Sequence, residues 1–114
     1  MSLDIGSPIR GKFDASREIA YTAITATFAP ISTAFANTLY IWFAQNFTDQ
    51  NIDFSVSFTG IDLSFTLAPG GTISSDMFTN GIQLSAGESV WVRYRTAAAP
   101  TIGFVQFSAI LPAT

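Results

Sequence analysis

The chain has 114 residues and contains no cysteine and no histidine. Without cysteine no disulfide staples the fold and no thiolate holds a metal, and redox usage says nothing about compartment. The missing histidine removes Ser-His-Asp and Cys-His catalysis together with imidazole metal sites. A Ser-Lys device would have to use Lys12, the single lysine, in a segment without regular pattern. Charge is scarce as well: 11% of residues are charged, against about 25% in a typical soluble domain. Five are basic and eight acidic, for a net charge of −3. Phosphate backbones need a basic field, so nucleic acid is not expected as a partner. No apolar run approaches the ~18 residues of a membrane span. Residues 1–20 lack the apolar core of a signal peptide, so neither a membrane nor a secretory route is expected.

What remains is apolar surplus on a length suited to one domain with its own core. Hydrophobic residues make up 48% of the chain, and eleven are Phe. With so little charge, much of the surface must be neutral or apolar, which suits a protein that lives against other protein.

The clearest pattern is Ile52–Leu67, IDFSVSFTGIDLSFTL. Ile52, Phe54, Val56 and Phe58 alternate with polar residues, and so do Ile61, Leu63, Phe65 and Leu67 in the opposite phase. Period two marks half-buried strands. The phase flips across Thr59-Gly60, as a two-residue hairpin loop requires. The expected register pairs Phe58 with Ile61, Val56 with Leu63, Phe54 with Phe65 and Ile52 with Leu67, with all eight apolar side chains on one face. A bulge at Gly60 in one long strand is the alternative, but 16 residues far exceed the usual strand.

Elsewhere the chain reads as short strands between turns. Arg17–Phe28 is rich in β-branched residues and reads as a strand closed by Pro30. Asn37–Phe47 is apolar on both faces: Leu39, Ile41 and Phe43 point one way, taken as the core row, and Tyr40, Trp42 and Ala44 the other. Ala68–Gly71 is a break, and Thr72–Gly81 a long connection with room for a short strand or a helical turn around Ser75–Phe78. Ile82–Leu84 is a short strand and Ser85–Glu88 a turn. In Ser89–Thr96, Val90, Val92 and Tyr94 share one face, and Trp91, Arg93 and Arg95 the other. Thr101–Leu111 closes the chain, again apolar on both faces. About seven short strands indicate an all-β antiparallel sandwich, Ig-like or jelly-roll-like. The domain is expected to span 17–114. Residues 1–16, with isolated Leu3, Ile5, Ile9 and Phe13, are either a loose terminus or an extended arm whose Ile5, Ile9 and Phe13 dock on a neighbour.

Asp53 and Asp62 fall on the polar face of the hairpin without being adjacent, and read as solvated charges. Asp49, Asn51 and Asp53 have the spacing that opens a calcium loop, but Phe54 replaces its glycine and Gly60 its bidentate glutamate. Gly70-Gly71 lacks the Lys-Ser/Thr of a phosphate loop. Asn46-Phe47-Thr48 matches a glycosylation acceptor, with Phe47 inside an apolar strand. Arg93 and Arg95 can hold a carboxylate; pairing with Asp or Glu across strands is the expected form. No cofactor and no metal are expected. Tyr40, Trp42 and Trp91, with Arg93 and Arg95, lie opposite the presumed core rows and are the expected interface, since aromatics and Arg anchor protein contacts. The same aromatics would alternatively form a sugar platform.

The stretch Leu84–Arg93, LSAGESVWVR, resembles the turn and strand of immunoglobulin-like sandwich modules, in which a small residue, Gly and Glu precede alternating Val. With the hairpin and the closing strand the resemblance covers residues 37–111, without a cysteine pair. The charge-poor, Ala/Thr/Ser/Phe-rich makeup is also similar to small virion proteins of tailed bacteriophages, such as capsid decoration (cement) and accessory tail proteins. That resemblance implies a non-enzymatic structural protein, a homo-oligomer in contact with other virion proteins, located in the virion and assembled in the host cytoplasm. The alternative is a carbohydrate- or receptor-binding module.

Overall fold

The computed structural model describes residues 11–14, 16–75, 83–95 and 98–112. It is all-β. Nine strands are present among these residues: β1 (Gly11–Phe13), β2 (Arg17–Ala20), β3 (Ala29–Pro30), β4 (Ile41–Asn46), β5 (Ile52–Ser57), β6 (Phe65–Leu67), β7 (Thr72–Ser74), β8 (Ser89–Tyr94) and β9 (Phe104–Pro112). They form two antiparallel sheets. The first has five strands in the order β1-β9-β4-β7, with β2 also pairing along β9; the second has four in the order β3-β8-β5-β6. β1 lies along Ile110–Pro112 and β2 along Phe104–Phe107, so together they make one interrupted edge.

The successive pairs β2–β3, β4–β5, β6–β7 and β8–β9 each cross from one sheet to the other. They lie in the same lateral order in both sheets: β2/β3, β8/β9, β4/β5, β6/β7. Of the two sandwich types expected, this is the order of a jelly roll rather than of an immunoglobulin domain, where neighbouring strands such as A and B share a sheet. The Ser85–Glu88 turn has the expected local form, with Gly87 at φ +93° and the Glu88 carboxylate accepting from the Ser85 amide at 2.7 Å. A turn of this kind serves either topology.

Core packing uses Phe35, Phe54 and Phe107, with Phe65 at its edge. On the inner row of β4, Trp42 and Ala44 alternate large and small; on β9, Phe107 and Ala109 do the same. Antiparallel pairing sets Trp42 opposite Ala109 and Ala44 opposite Phe107. Each large ring thus fills the room left by an alanine, and the two rings stack at 5.9 Å. The stack continues through Phe35 on one side and through Phe65 to Phe54 of the second sheet on the other. Trp42 is therefore only 2% exposed. The expected phase of β4 is inverted: Ile41 and Phe43 face outward, and the row Trp42, Ala44, Asn46 faces in. Both rows are apolar, so only the partner across the core selects between them.

Three boundaries also differ from expectation. β2 ends at Ala20, because Tyr21 donates to the Gly103 carbonyl at 3.0 Å and starts a 3₁₀ turn over Tyr21–Ala23. In the Thr72–Gly81 connection, Thr72–Ser74 pair with β4 as β7. Gly11–Phe13, read as part of the arm, pair with the last strand of their own sheet, Phe13 opposite Ile110. Ile5 and Ile9 lie outside the described residues.

Candidate functional site

β4 and β9, the two strands apolar on both faces, are neighbours at the centre of the five-stranded sheet. Their inner rows are spent on the core. Their outer rows face away together, in the pairs Ile41–Ile110, Phe43–Ser108 and Gln45–Gln106. The row continues past β4 to Phe47, whose ring packs 4.9 Å from that of Phe104. Ile41 and Phe47 are exposed large hydrophobics, as are Tyr40 at one end of the face, 56% exposed, and Ile102 beyond Phe104. Next to β9, β2 adds Glu18 and Ala20. Glu18 is the charged side chain among these described positions; the surface is nearly uncharged, with apolar side chains at both ends and the neutral polar Gln45, Gln106, Ser108, Thr72 and Ser74 between and beside them.

Of the expected interface residues, Tyr40 is on the surface as read. Trp42 is not: it is a core ring. Trp91 is half-covered by its own chain. The tip of the β5–β6 connection folds back so that Gly60, at φ +69°, lies on the indole, and Trp91 Nε1 donates to the Ser57 carbonyl at 3.2 Å. Ile41, Phe47 and Ile102 were missed. Their signal is the doubly apolar character of Asn37–Phe47 and Thr101–Leu111; for the first strand the expected core row is the one that faces outward, and for the second no row is singled out.

The tip itself departs from the expected hairpin. The ladder runs Ile52–Leu67, Asp53–Thr66 and Phe54–Phe65, in the expected register, and stops there. Beyond it, Ser64 Oγ accepts from the Val56 amide at 3.0 Å and Ser57 Oγ from the Gly60 amide at 2.8 Å. Serine hydroxyls thus take the N–H groups that a tight hairpin would have used. Phe58, Ile61 and Leu63 are exposed rather than buried, Ile61 at 73%.

On the outer face of the four-stranded sheet, Asp53 is buried, not solvated as expected. Its register partner is Arg93. Thr66 Oγ1 donates to Oδ1 at 2.8 Å, Arg93 Nε to Oδ2 at 3.1 Å and Arg95 Nε to Oδ1 at 3.2 Å. Burial pushes the Asp53 carboxyl up, but the hydrogen bonds from Thr66, Arg93 and Arg95 and the Arg95 charge outweigh it, leaving the carboxyl below its ordinary range. Arg93 also stacks its guanidinium 4.2 Å above the Phe28 ring. A cleft of about 400 Å³ opens here between Ala26, Leu63, Tyr94 and the two arginines. The expected pairing of the arginines with an acidic residue is what the fold contains.

The remaining motifs resolve into structure. The Asn46 side chain is buried and fully engaged: Nδ2 donates to the carbonyls of Gln50 and Leu67, and Oδ1 accepts from the amide and hydroxyl of Thr48. That amide nitrogen is not available to a glycan. The Asp49 carboxylate accepts from the hydroxyl and amide of Thr101, and these bonds lower its pKa. Asp49 and Asp53, the ends of the calcium-like spacing, are thus committed to different partners.

Compared with family models, with curated proteins and with solved structures, the chain matches none.

Proposed function

We propose that this chain is a non-enzymatic structural protein that works by assembly, as a repeated component of a phage virion in the role of a capsid decoration or accessory tail protein. The observation that carries the reading is the outer face of β4 and β9: Ile41, Phe43 and Ile110 cluster at one end and Phe47 with Phe104 at the other, separated by the uncharged Gln45–Gln106 pair, with exposed Tyr40 and Ile102 nearby in the chain. An apolar face of this breadth marks a protein contact and makes a lone monomer prone to aggregate. A standard contact buries about 800 Å² on each partner, which one sheet face with its rims can supply. Repeated identical copies cover such faces by symmetry. Jelly rolls also build viral capsid domains, although they serve lectins and cupins too, so the fold supports the virion reading by analogy alone.

The carbohydrate-binding reading has less support, because Trp42 is buried in the core and Gly60 half-covers Trp91, which leaves Tyr40 as the exposed ring of the three.

The test is native mass spectrometry of the protein alone and with purified particles, repeated with Tyr40→Ser and Ile41→Lys. Both substitutions are on exposed positions and should change stability by no more than about 0.5 kcal/mol. Wild type is expected to oligomerise or bind particles and both variants to lose this with melting unchanged. A wild-type protein that stays monomeric and ignores particles overturns the reading, and so do variants that assemble like wild type.

A further inference from the structure

The Arg93–Arg95 cleft holds more positive charge than its fold needs. Two guanidinium groups face one carboxylate, and no salt bridge of either arginine other than to Asp53 is formed among the described residues. The geometry of that pairing is uneconomical. Each arginine meets Asp53 through Nε, while an arginine that serves only a carboxylate commonly presents its fork end-on. Arg95 spends Nη2 on Thr66 Oγ1 at 3.4 Å; both Nη groups of Arg93 and Nη1 of Arg95 make no hydrogen bond to the described residues. The side chains are 36% and 56% exposed, whereas Asp53 beneath them is 3% exposed.

Asp53 thus acts as a buried anchor that turns two forks toward the cleft. The Phe28 ring under Arg93 fixes the plane of one of them. Ordering of these long side chains is already achieved in the fold, so a ligand does not have to supply it.

The geometry points to a carboxylate-binding site in this cleft, taking an Asp or Glu side chain presented by another protein molecule. Three features select that class. The surplus of one positive charge matches a monoanion. The apolar walls formed by Ala26 and Leu63 suit the methylenes of an acidic side chain rather than a bare ion. The chain as a whole is net negative with five basic residues, so no wider field is available to hold a polyanion such as nucleic acid. Recognition is fork to carboxylate, for which arginine geometry is matched. The site lies on the sheet opposite the proposed assembly face, and its occupancy does not depend on that reading.

The experiment follows the Arg93 and Arg95 Nε–H resonances of ¹⁵N-labelled protein during titration with N-acetyl-glutamate methylamide, against chloride at equal ionic strength. Saturable shifts at both arginines and at Leu63 are expected with the glutamate probe and not with chloride. Arg95→Gln keeps the Arg93–Asp53 pair, so the fold survives; it is expected to weaken the probe about tenfold, the loss of one charged hydrogen-bonding group. Unlabelled protein serves as a second titrant: shifts with it assign the carboxylate to a second copy of this chain, and shifts with the probe alone assign it to a different protein. Identical responses to probe and chloride overturn the proposal. So does an unchanged affinity in Arg95→Gln, or inorganic phosphate binding more tightly than the glutamate probe.

Discussion

Gly60 lies on the face of the Trp91 indole, where a Cβ would overlap ring atom Cδ2. Its backbone is left-handed at φ +69°. The tip loop can cover Trp91 only because residue 60 has neither a side chain nor a penalty for that conformation. Gly60→Ala should cost about 1–3 kcal/mol from backbone strain, with crowding on the ring added to it. Thermal melting should show the loss, and acrylamide should quench tryptophan emission more strongly as Trp91 is uncovered. Wild-type stability together with wild-type quenching would contradict this account of the tip.

Phe54 and Phe65 face each other across β5 and β6 with ring centroids 4.8 Å apart. They are not equivalent: Phe54 is fully buried, and Phe65 is half-buried at the sheet edge. Phe54→Ala should cost ~3–5 kcal/mol. Phe65→Ala should cost less, ~2 kcal/mol, because part of its surface is already wet. Chemical denaturation of both variants checks the order, and equal losses would show that the edge strand is as tightly packed as the centre.

The Asp53 carboxyl is held below its ordinary value of 3.8 in the folded chain. A depressed carboxylate stabilises the fold above its unfolded pKa, and that stabilisation fades as pH falls through the folded value. The chain has no histidine, so stability should be flat from about pH 5 to about pH 8. It should then decline below about pH 4. Asp53→Asn should reduce the acid-side slope, leaving the part that comes from Asp49, whose carboxyl is lowered by Thr101. Denaturation midpoints measured across pH test this; a variant with the wild-type acid slope would remove Asp53 from the cause.

Asn46 ties β4 to the turn before β5 and to the end of β6, through Gln50 and Leu67. Asn46→Ala would leave the buried Leu67 carbonyl and the Thr48 amide without this partner, while the half-buried Gln50 carbonyl keeps the Thr48 hydroxyl, at a cost of about 2 kcal/mol. Expression through a glycosylating secretory route should leave the Asn46-Phe47-Thr48 site unmodified. Intact mass reads that directly, and a glycan at Asn46 would mean that the turn opens.

Sequence alone determined the class of fold and several local pairings. Period two in Ile52–Leu67 required strands, the phase flip required a chain reversal, and apolar pairing placed Phe54 opposite Phe65, because each of these depends on neighbours along the chain. The register of Val90 and Val92 on the core side of β8 was legible for the same reason: their alternates Trp91, Arg93 and Arg95 carry polar groups that need water or a partner. What only the tertiary structure decided were the choices between equals. Asn37–Phe47 offers two apolar rows, and Ala109 and Phe107 of β9, opposite Trp42 and Ala44, choose the Trp42 row for the core, turning Ile41 and Phe43 outward. Asp53 looks like a solvated charge until β8 brings two arginines to it from forty residues away in sequence. The tip of the hairpin looks buried until Ser57 and Ser64 take its backbone amides and Trp91 takes its glycine. Local pattern sets which side chains alternate; the identity of the surface that each row meets is a property of the other strands.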